Sequence, residues 1–295
     1  MHSKPVTSAF DGSRQRLIGL AYRMLGTMAE AEDVVQDTWL RWNSLGAAQA
    51  EIERPDAWLT TVCTRVALDR LKSARVQRAT YVGPWLPEPL VVSPDPADAV
   101  DLAESLTFGF LTVLERLAPV DRAVFLLADV FKIPYAEIAT TIGRTEAACR
   151  QIAHRARDRV RDSHRVVDPD AAARTDLVDA FLHACAFGDL DELRAVLAAD
   201  VVLVSDGGAA RHAARRPVVG FDRVTRLVLN LTRRLPAGVW PVIQPLNGEP
   251  GFVAVDEHGV VAFAMSFEVV DGVITQLRVV MNPDKLGTLA ASVIA

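Results

Sequence analysis

Arg150 and Gln151 stand side by side near the start of a helical stretch, and the pair is suited to reading a nucleic acid. A guanidinium can bond a guanine edge and a glutamine amide an adenine edge. The surrounding segment is "YAEIATTIGRTEAACRQIAHRARDRVR" (135–161). Ile138, Ala139 and Ile142 mark the inner side of a first short helix. Gly143 permits a tight turn. Thr145 is placed to cap the next helix, with Glu146 near the positive end of its dipole. On that helix Cys149, Ala153, Ala156 and Val160 share one stripe, while Arg150, Gln151, His154, Arg155 and Arg157 project elsewhere. Residues 144–165 hold seven arginines and three acidic residues. Two short helices joined by a glycine turn, the second basic and small-sided, match a DNA-reading helix-turn-helix. Arg150 and Gln151 are then the base readers, and Arg155, Arg157 and Arg161 hold phosphates. A solvated basic helix in a bundle would carry the same charge. The agreement of turn, cap, stripe and charge favours DNA.

Catalysis finds less support. Acid–base work needs a positioned titratable group, and the candidates in the C-terminal part are His183, Asp206, His212 and Asp222. None has a titratable partner at a convincing spacing. His183 lies at helical spacing from Leu177 and Ala180, as a core or rim residue would. His212 sits in "AARHAARR", a basic, solvated loop. No enzyme activity and no cofactor is expected. Cys63, Cys149 and Cys185 are far apart and odd in number, which suits a reducing cytoplasm and forms no metal spacing.

The elements that must position these residues follow from periodicity. Leu17, Leu20, Ala21, Met24 and Leu25 recur at helical steps. Thr27 and Glu30 form a candidate capping box for a helix with Ala31, Val34, Val35, Thr38, Trp39 and Trp42 on one stripe. Pro55 fits the first turn of a third helix, which buries Leu59, Val62, Val66 and Leu71 and ends in the basic "RLKSARVQR" (70–78). A proline-rich connector follows, then four helices broken near Pro119, Pro134 and Gly143. From about residue 174 the order becomes two helices (174–187, 189–199), a strand ending in "DGGAA" (206–210), a helix (220–235) and short strands, with Asp271-Gly272 as a hairpin signal. Helices first and strands later give an α+β domain behind an all-helical front.

The chain has 295 residues, half of them apolar, and a net charge of −5. That is enough for two or three domains. The acidic balance argues only weakly against DNA, because the placement of positive charge decides. No apolar run approaches the ~20 residues of a membrane helix, and the N-terminus has no apolar core of a secretory signal.

"AEDVVQDTWLRWNSL" (31–45), "RPDAWLTTVCTRVALDRL" (54–71) and the helix-turn-helix together resemble bacterial extracytoplasmic-function sigma factors of the sigma-70 class. The resemblance implies a factor that binds core RNA polymerase and directs promoter-specific initiation. Residues 10–80 would form the domain for polymerase and the −10 element, and 102–166 the domain for the −35 element. Asp33, Gln36, Asp37 and Trp39 would form or support the polymerase surface, with Trp39 mainly core. Trp58, packed or stacked on a base, joins Arg65, Arg70, Lys72, Arg75 and Arg78 in a basic edge for the phosphates of a separating strand. Thr145, Arg150, Gln151, His154, Arg155 and Arg157 would serve the −35 element. Arg65 stands where the family usually has asparagine, and Ala148 and Ile152 where it often has threonine and arginine. Promoter preference therefore does not transfer. The competing reading is a ligand-responsive helix-turn-helix regulator that never joins polymerase.

Residues 174–295 resemble the SnoaL-like cone-shaped α+β barrels, which implies an apolar cavity open to a small ligand. One sigma subgroup carries such an extension with a "WLPEP" linker, a "DGGGK"-type loop and an "NPDKL" tail. This chain has "WLPEPL" (85–90) and "NPDKL" (282–286) intact, and "DGGAA" in between. The third glycine and the lysine are missing, and Arg211 is the nearby candidate to replace the charge. The resemblance implies a fused regulator, with Asp206, Gly207, Gly208, Asn282, Pro283, Asp284, Lys285 and Leu286 facing the linker (81–101). Trp85, Leu86, Pro87, Glu88 and Pro89 lie in that linker. Prolines keep it extended, so Trp85, Leu86 and Leu90 need a surface. The expected one is the cone, near "DGGAA" and "NPDKL".

Overall fold

The computed structural model describes residues 6–78, 80–91, 107–163 and 175–289. The expected linker residues 92–101, the domain edges at 102–106, 164–166 and 174, Arg165, and residues 290–295 lie outside them. The chain divides into two compact units, residues 1–79 with 113–163, and residues 80–112 with 164–295.

The first unit is helical. α1 (Val6–Leu25) ends where Gly26, at positive φ, donates its N–H to the Tyr22 carbonyl. α2 (Met28–Ser44) and α3 (Pro55–Arg78) pack on α1 around Leu17, Met24, Val34, Leu59 and Cys63, all fully buried. Thr27 precedes α2, but its hydroxyl bonds the Glu30 carboxylate (2.7 Å) instead of a backbone N–H. Trp39 departs from expectation: it is 38% exposed, because the buried stripe runs through Ala31, Val34, Val35, Thr38 and Trp42 and leaves position 39 on the flank. In the second block α4 (Phe108–Leu114) spans the unit boundary. α5 (Pro119–Phe125) starts on its proline and continues into a π turn to Val130. α6 (Tyr135–Ile142) ends on Gly143 at φ 70°, and α7 (Glu146–Ser163) follows.

The two helical blocks form one body. Arg65 donates to the carbonyls of Thr140 (2.9 Å) and Thr141 (3.0 Å), and Thr61 bonds the Thr141 hydroxyl. Arg54 pairs with Glu137 (2.7 Å). Arg122, almost fully buried, donates to the Met24 carbonyl (2.7 Å).

The second unit is α+β. α8 (Thr175–Phe187) and α9 (Leu190–Val196) lead into β1 (Leu197–Asp206). The helix expected to reach residue 199 stops at Val196, because Leu197 already pairs with Ile274. β2 (Val218–Val219), α10 (Phe221–Thr232), β3 (Trp240–Ile243), β4 (Gly251–Val255), β5 (Val261–Val270) and β6 (Val273–Val280) complete it. The six strands run in the order β2-β1-β6-β5-β4-β3, with β1 and β6 parallel and the other neighbours antiparallel. Asp271 and Gly272, both at positive φ, close the β5–β6 hairpin. Register shifts in β1, β4 and β5 bend the sheet into a cone.

Both faces of this sheet are covered. Phe252, Ala254, Met265, Phe267 and Val279 face α8, α9 and α10. Their strand neighbours Val253, Val255, Ala264 and Val280 face the other way, as the two-residue period of a strand requires, and pack with Leu86, Phe108, Leu286 and Leu289. The connector therefore supplies the second layer of the cone.

Candidate functional site

The reading helix is built as its sequence dictates. Thr145 Oγ1 accepts the Ala148 N–H (3.2 Å), and Cys149, Ala153 and Ala156 are fully buried. Gln151, His154 and Arg155 are exposed. Arg150 is 59% exposed, pairs with Glu146 (2.8 Å) and lies 5.3 Å from the Tyr135 ring centre. Exposed helix pairs are worth ~0.3–0.5 kcal/mol, so this arginine can trade Glu146 for a base edge at small cost. Arg157 differs: it bonds Asp129 and the Tyr135 hydroxyl, both at 2.7 Å, and so braces α7 against the preceding elements.

The basic edge of α3 is engaged within its own unit. Arg70 bonds both Asp33 (2.8 Å) and Asp37 (3.0 Å), joining the expected polymerase surface to the expected DNA edge. Gln36 is exposed beside them. Lys72 pairs with Asp69, and Arg75 donates to the Leu117 carbonyl. Arg78 is not an open phosphate contact; its side chain is largely buried against Glu115 (2.6 Å). Trp58 is half-buried, its ring 5.3 Å from that of Trp42. Burial would raise the Glu115 carboxyl, but the guanidiniums of Arg122 and Arg78 outweigh it and hold the group below the ordinary glutamate value.

In the second unit the connector lies in a set of specific bonds. Asp206, at the end of β1, is fully buried and accepts from the Tyr81 hydroxyl (2.6 Å), the Leu86 N–H (2.9 Å), the Gly208 N–H (3.0 Å) and Lys285 Nζ (2.7 Å). Lys285 also donates to the Leu86 carbonyl and lies 3.9 Å from the Trp85 ring centre. "WLPEP" thus meets "DGGAA" and "NPDKL" at one carboxylate and one ammonium. Asn282 donates to the Tyr81 oxygen (2.9 Å), and its side chain accepts the Asp284 N–H beside Pro283. Burial, then the bond to Asp206, raises the Tyr81 hydroxyl. Gly208 is at φ 58° with the Asn282 side chain against it, and Gly207 abuts the Arg211 carbonyl, so both positions need glycine. Arg211 is exposed and does not supply the charge; Lys285 does. Further along, Thr288 donates to Glu88 (2.8 Å), Leu90 donates its N–H to the Asn247 side-chain oxygen (2.8 Å), and its carbonyl accepts the Asn247 N–H (2.7 Å). Pro87 and Pro89 are buried between these contacts.

Sequence reading missed a second cluster on the same face. Glu249 accepts the Gly109 N–H (2.6 Å) at the start of α4 and pairs with Arg278 (2.9 Å), which also meets Glu268. Burial raises the Glu249 carboxyl despite Arg278. Glu268 and Arg278 recur at even positions among apolar residues of β5 and β6, a pattern that could have placed them on one buried face. Glu249 and Tyr81 carry no such signal.

The acid–base candidates do not converge. His183 is exposed on the rim, neither core nor inside the cone, and bonds Glu192 (2.7 Å). His212 and Asp222 are exposed, and Asp206 serves the linker. The cone does enclose an apolar chamber of about 320 Å³ lined by residues such as Phe181, Val228, Phe252 and Met265. Among the described residues no cluster of metal-ligating side chains occurs and no helix is long and apolar enough to cross a membrane.

The chain matches Sigma-70 region 2 over residues 10–76 and Sigma-70, region 4 over residues 108–160. It is 42% identical over 291 residues to the ECF RNA polymerase sigma factor SigJ of Mycobacterium tuberculosis, covering 94% of this chain and 92% of that protein. A probable ECF RNA polymerase sigma factor, SigI of the same organism, is 37% identical over 292 residues and is covered to 97%, as is this chain. The crystal structure of Mycobacterium tuberculosis SigJ superposes with a TM-score of 0.75 at 37% identity, covering 96% of this chain and 98% of that one. Sigma factors bind core RNA polymerase and promoter DNA and catalyse no reaction of their own. With region 2, region 4 and full-length similarity to SigJ, this protein belongs to the ECF RNA polymerase sigma factors.

Proposed function

We propose that the cone regulates this sigma factor by holding both ends of the connector between regions 2 and 4. The carrying observation is that Leu86 and Phe108 pack in one apolar cluster on the sheet, backed by Asp206–Lys285 at one end and Glu249 at the other. A factor that engages two promoter elements on polymerase needs its two regions free to spread, and a connector held at both ends opposes that. The tether keeps the grip at high effective concentration, so even modest bonds stay occupied.

In this reading Asp33, Gln36, Asp37 and Trp39 meet polymerase once Arg70 exchanges its carboxylate partners. Arg65, Arg70, Lys72 and Arg75 turn to the −10 strand, and Arg150, Gln151, His154 and Arg155 take the −35 element. The site of action is the cytoplasm, and the apolar chamber receives a small molecule.

Transcription by core polymerase with the full chain and with Trp85→Ala tests the regulatory role. The substitution removes a ring over Lys285 and touches no DNA-reading residue, so transcript yield should change while −35 binding stays constant. Unchanged yield and unchanged protease resistance of residues 80–90 would return the stretch to a plain spacer.

A further inference from the structure

The chamber in the cone is walled by apolar side chains from α8, α10 and the sheet, and among the described residues Arg234 is its one charged lining residue. Leu231, Leu235 and Trp240 stand around the same opening and are exposed. The Arg234 guanidinium is in no ion pair among the described residues. Within the chamber, burial pushes the Cys185 thiol up to about 12, so the interior favours neutral groups and a charge belongs at the mouth. An apolar void of about 150 Å³ holds benzene, and this one is about 320 Å³.

We propose that the chamber binds a monocarboxylate with an apolar body of roughly ten carbons, its carboxylate on Arg234 and its tail against Phe181, Phe252 and Met265. The identity of the class rests on the chamber alone. Its regulatory consequence rests on the reading of the cone as a regulator. The route to the linker is short: Met281 lines the chamber, and its backbone N–H donates to the Asp206 carbonyl (2.7 Å), whose carboxylate holds Leu86. An occupant that favours one position of Met281 biases the grip by its difference in affinity between the two states.

Isothermal titration of the full chain near neutral pH, with decanoate and with decanol, tests the class. Decanoate should bind one per chain. Arg234→Gln should weaken it about tenfold or more and leave decanol unchanged. Ala186→Trp, at an exposed lining position, should block both ligands without disturbing the fold, checked by thermal unfolding. Absence of decanoate binding, equal loss of both ligands in Arg234→Gln, or no loss of either overturns the proposal. Decanoate binding alongside a silent Trp85→Ala would leave the chamber standing and sink the regulatory role. The reverse pattern would do the opposite.

Discussion

Leu86 and Phe108 belong to one apolar cluster, although they lie at opposite ends of the segment joining region 2 to region 4. A fully extended chain between them would reach about 75 Å at roughly 3.4 Å per residue. Leu86 is 1% exposed, and Leu86→Ala leaves a void against Leu246, Val253 and Leu286. The expected cost is ~2–5 kcal/mol. Hydrogen exchange should show residues 80–90 opening ahead of the strands, and transcript yield should shift in the same direction as for Trp85→Ala.

Lys285→Ala leaves the Asp206 carboxylate buried without its counter-charge, while three other donors remain. Breaking one side of a buried pair costs ~3–5 kcal/mol. Adding Asp206→Asn should recover a large part of that loss in a urea titration. A double variant as unstable as the single one would show that shape, not charge, holds the turn.

Two buried carboxyls, Glu115 and Glu249, should respond to acid in opposite senses. Glu115 is held below its ordinary value, about 4.3. Its stabilisation is fully present above that pH and is lost as the pH falls through the lowered value. Glu249 is raised, so its contribution is fully present below the ordinary value and is lost as the pH rises through the raised one. Hydrogen exchange across pH should show α3 and α5 loosening towards acid, and Glu115→Gln should flatten that dependence. Glu249→Gln should flatten the opposite slope in β5 and β6.

Arg150→Ala should weaken −35 binding by ~1–3 kcal/mol and relax preference at one base pair. Arg155→Ala should weaken all sequences alike and lower the salt dependence by about one phosphate contact. Competition binding on single-base variants of the element separates the two. A uniform loss for Arg150→Ala would demote it to a phosphate contact.

The helix-turn-helix was legible because its information is local: a glycine turn, a capping threonine and a small-residue stripe within 27 positions (135–161). The linker, "DGG" and "NPDKL" were legible as marks, and Leu86 as a side chain in need of a surface. What escaped depends on distant partners. Arg78 looks like a free cation until Glu115 is brought to it, and Asp206 looks like an acid–base candidate until Lys285 and Tyr81 surround it. The missing loop lysine pointed to Arg211, yet the ammonium came from the tail, some 80 residues away in sequence but beside Asp206 because β1 and β6 run parallel. Trp39 misled because a stripe five residues wide still has flanks.

The coverage of both sheet faces also says where the C-terminal unit begins. Val253, Val255, Ala264 and Val280 have Leu86 and Phe108 as part of their roof. A deletion of the C-terminal residues alone would strand the connector's apolar side chains in water, and an isolated cone would carry an open greasy face prone to self-association. Freeing the connector creates the same uncovered face inside the cell. Under the proposed regulation the released state therefore carries its own timer: it lasts only until the connector, or another apolar surface, coats the sheet again.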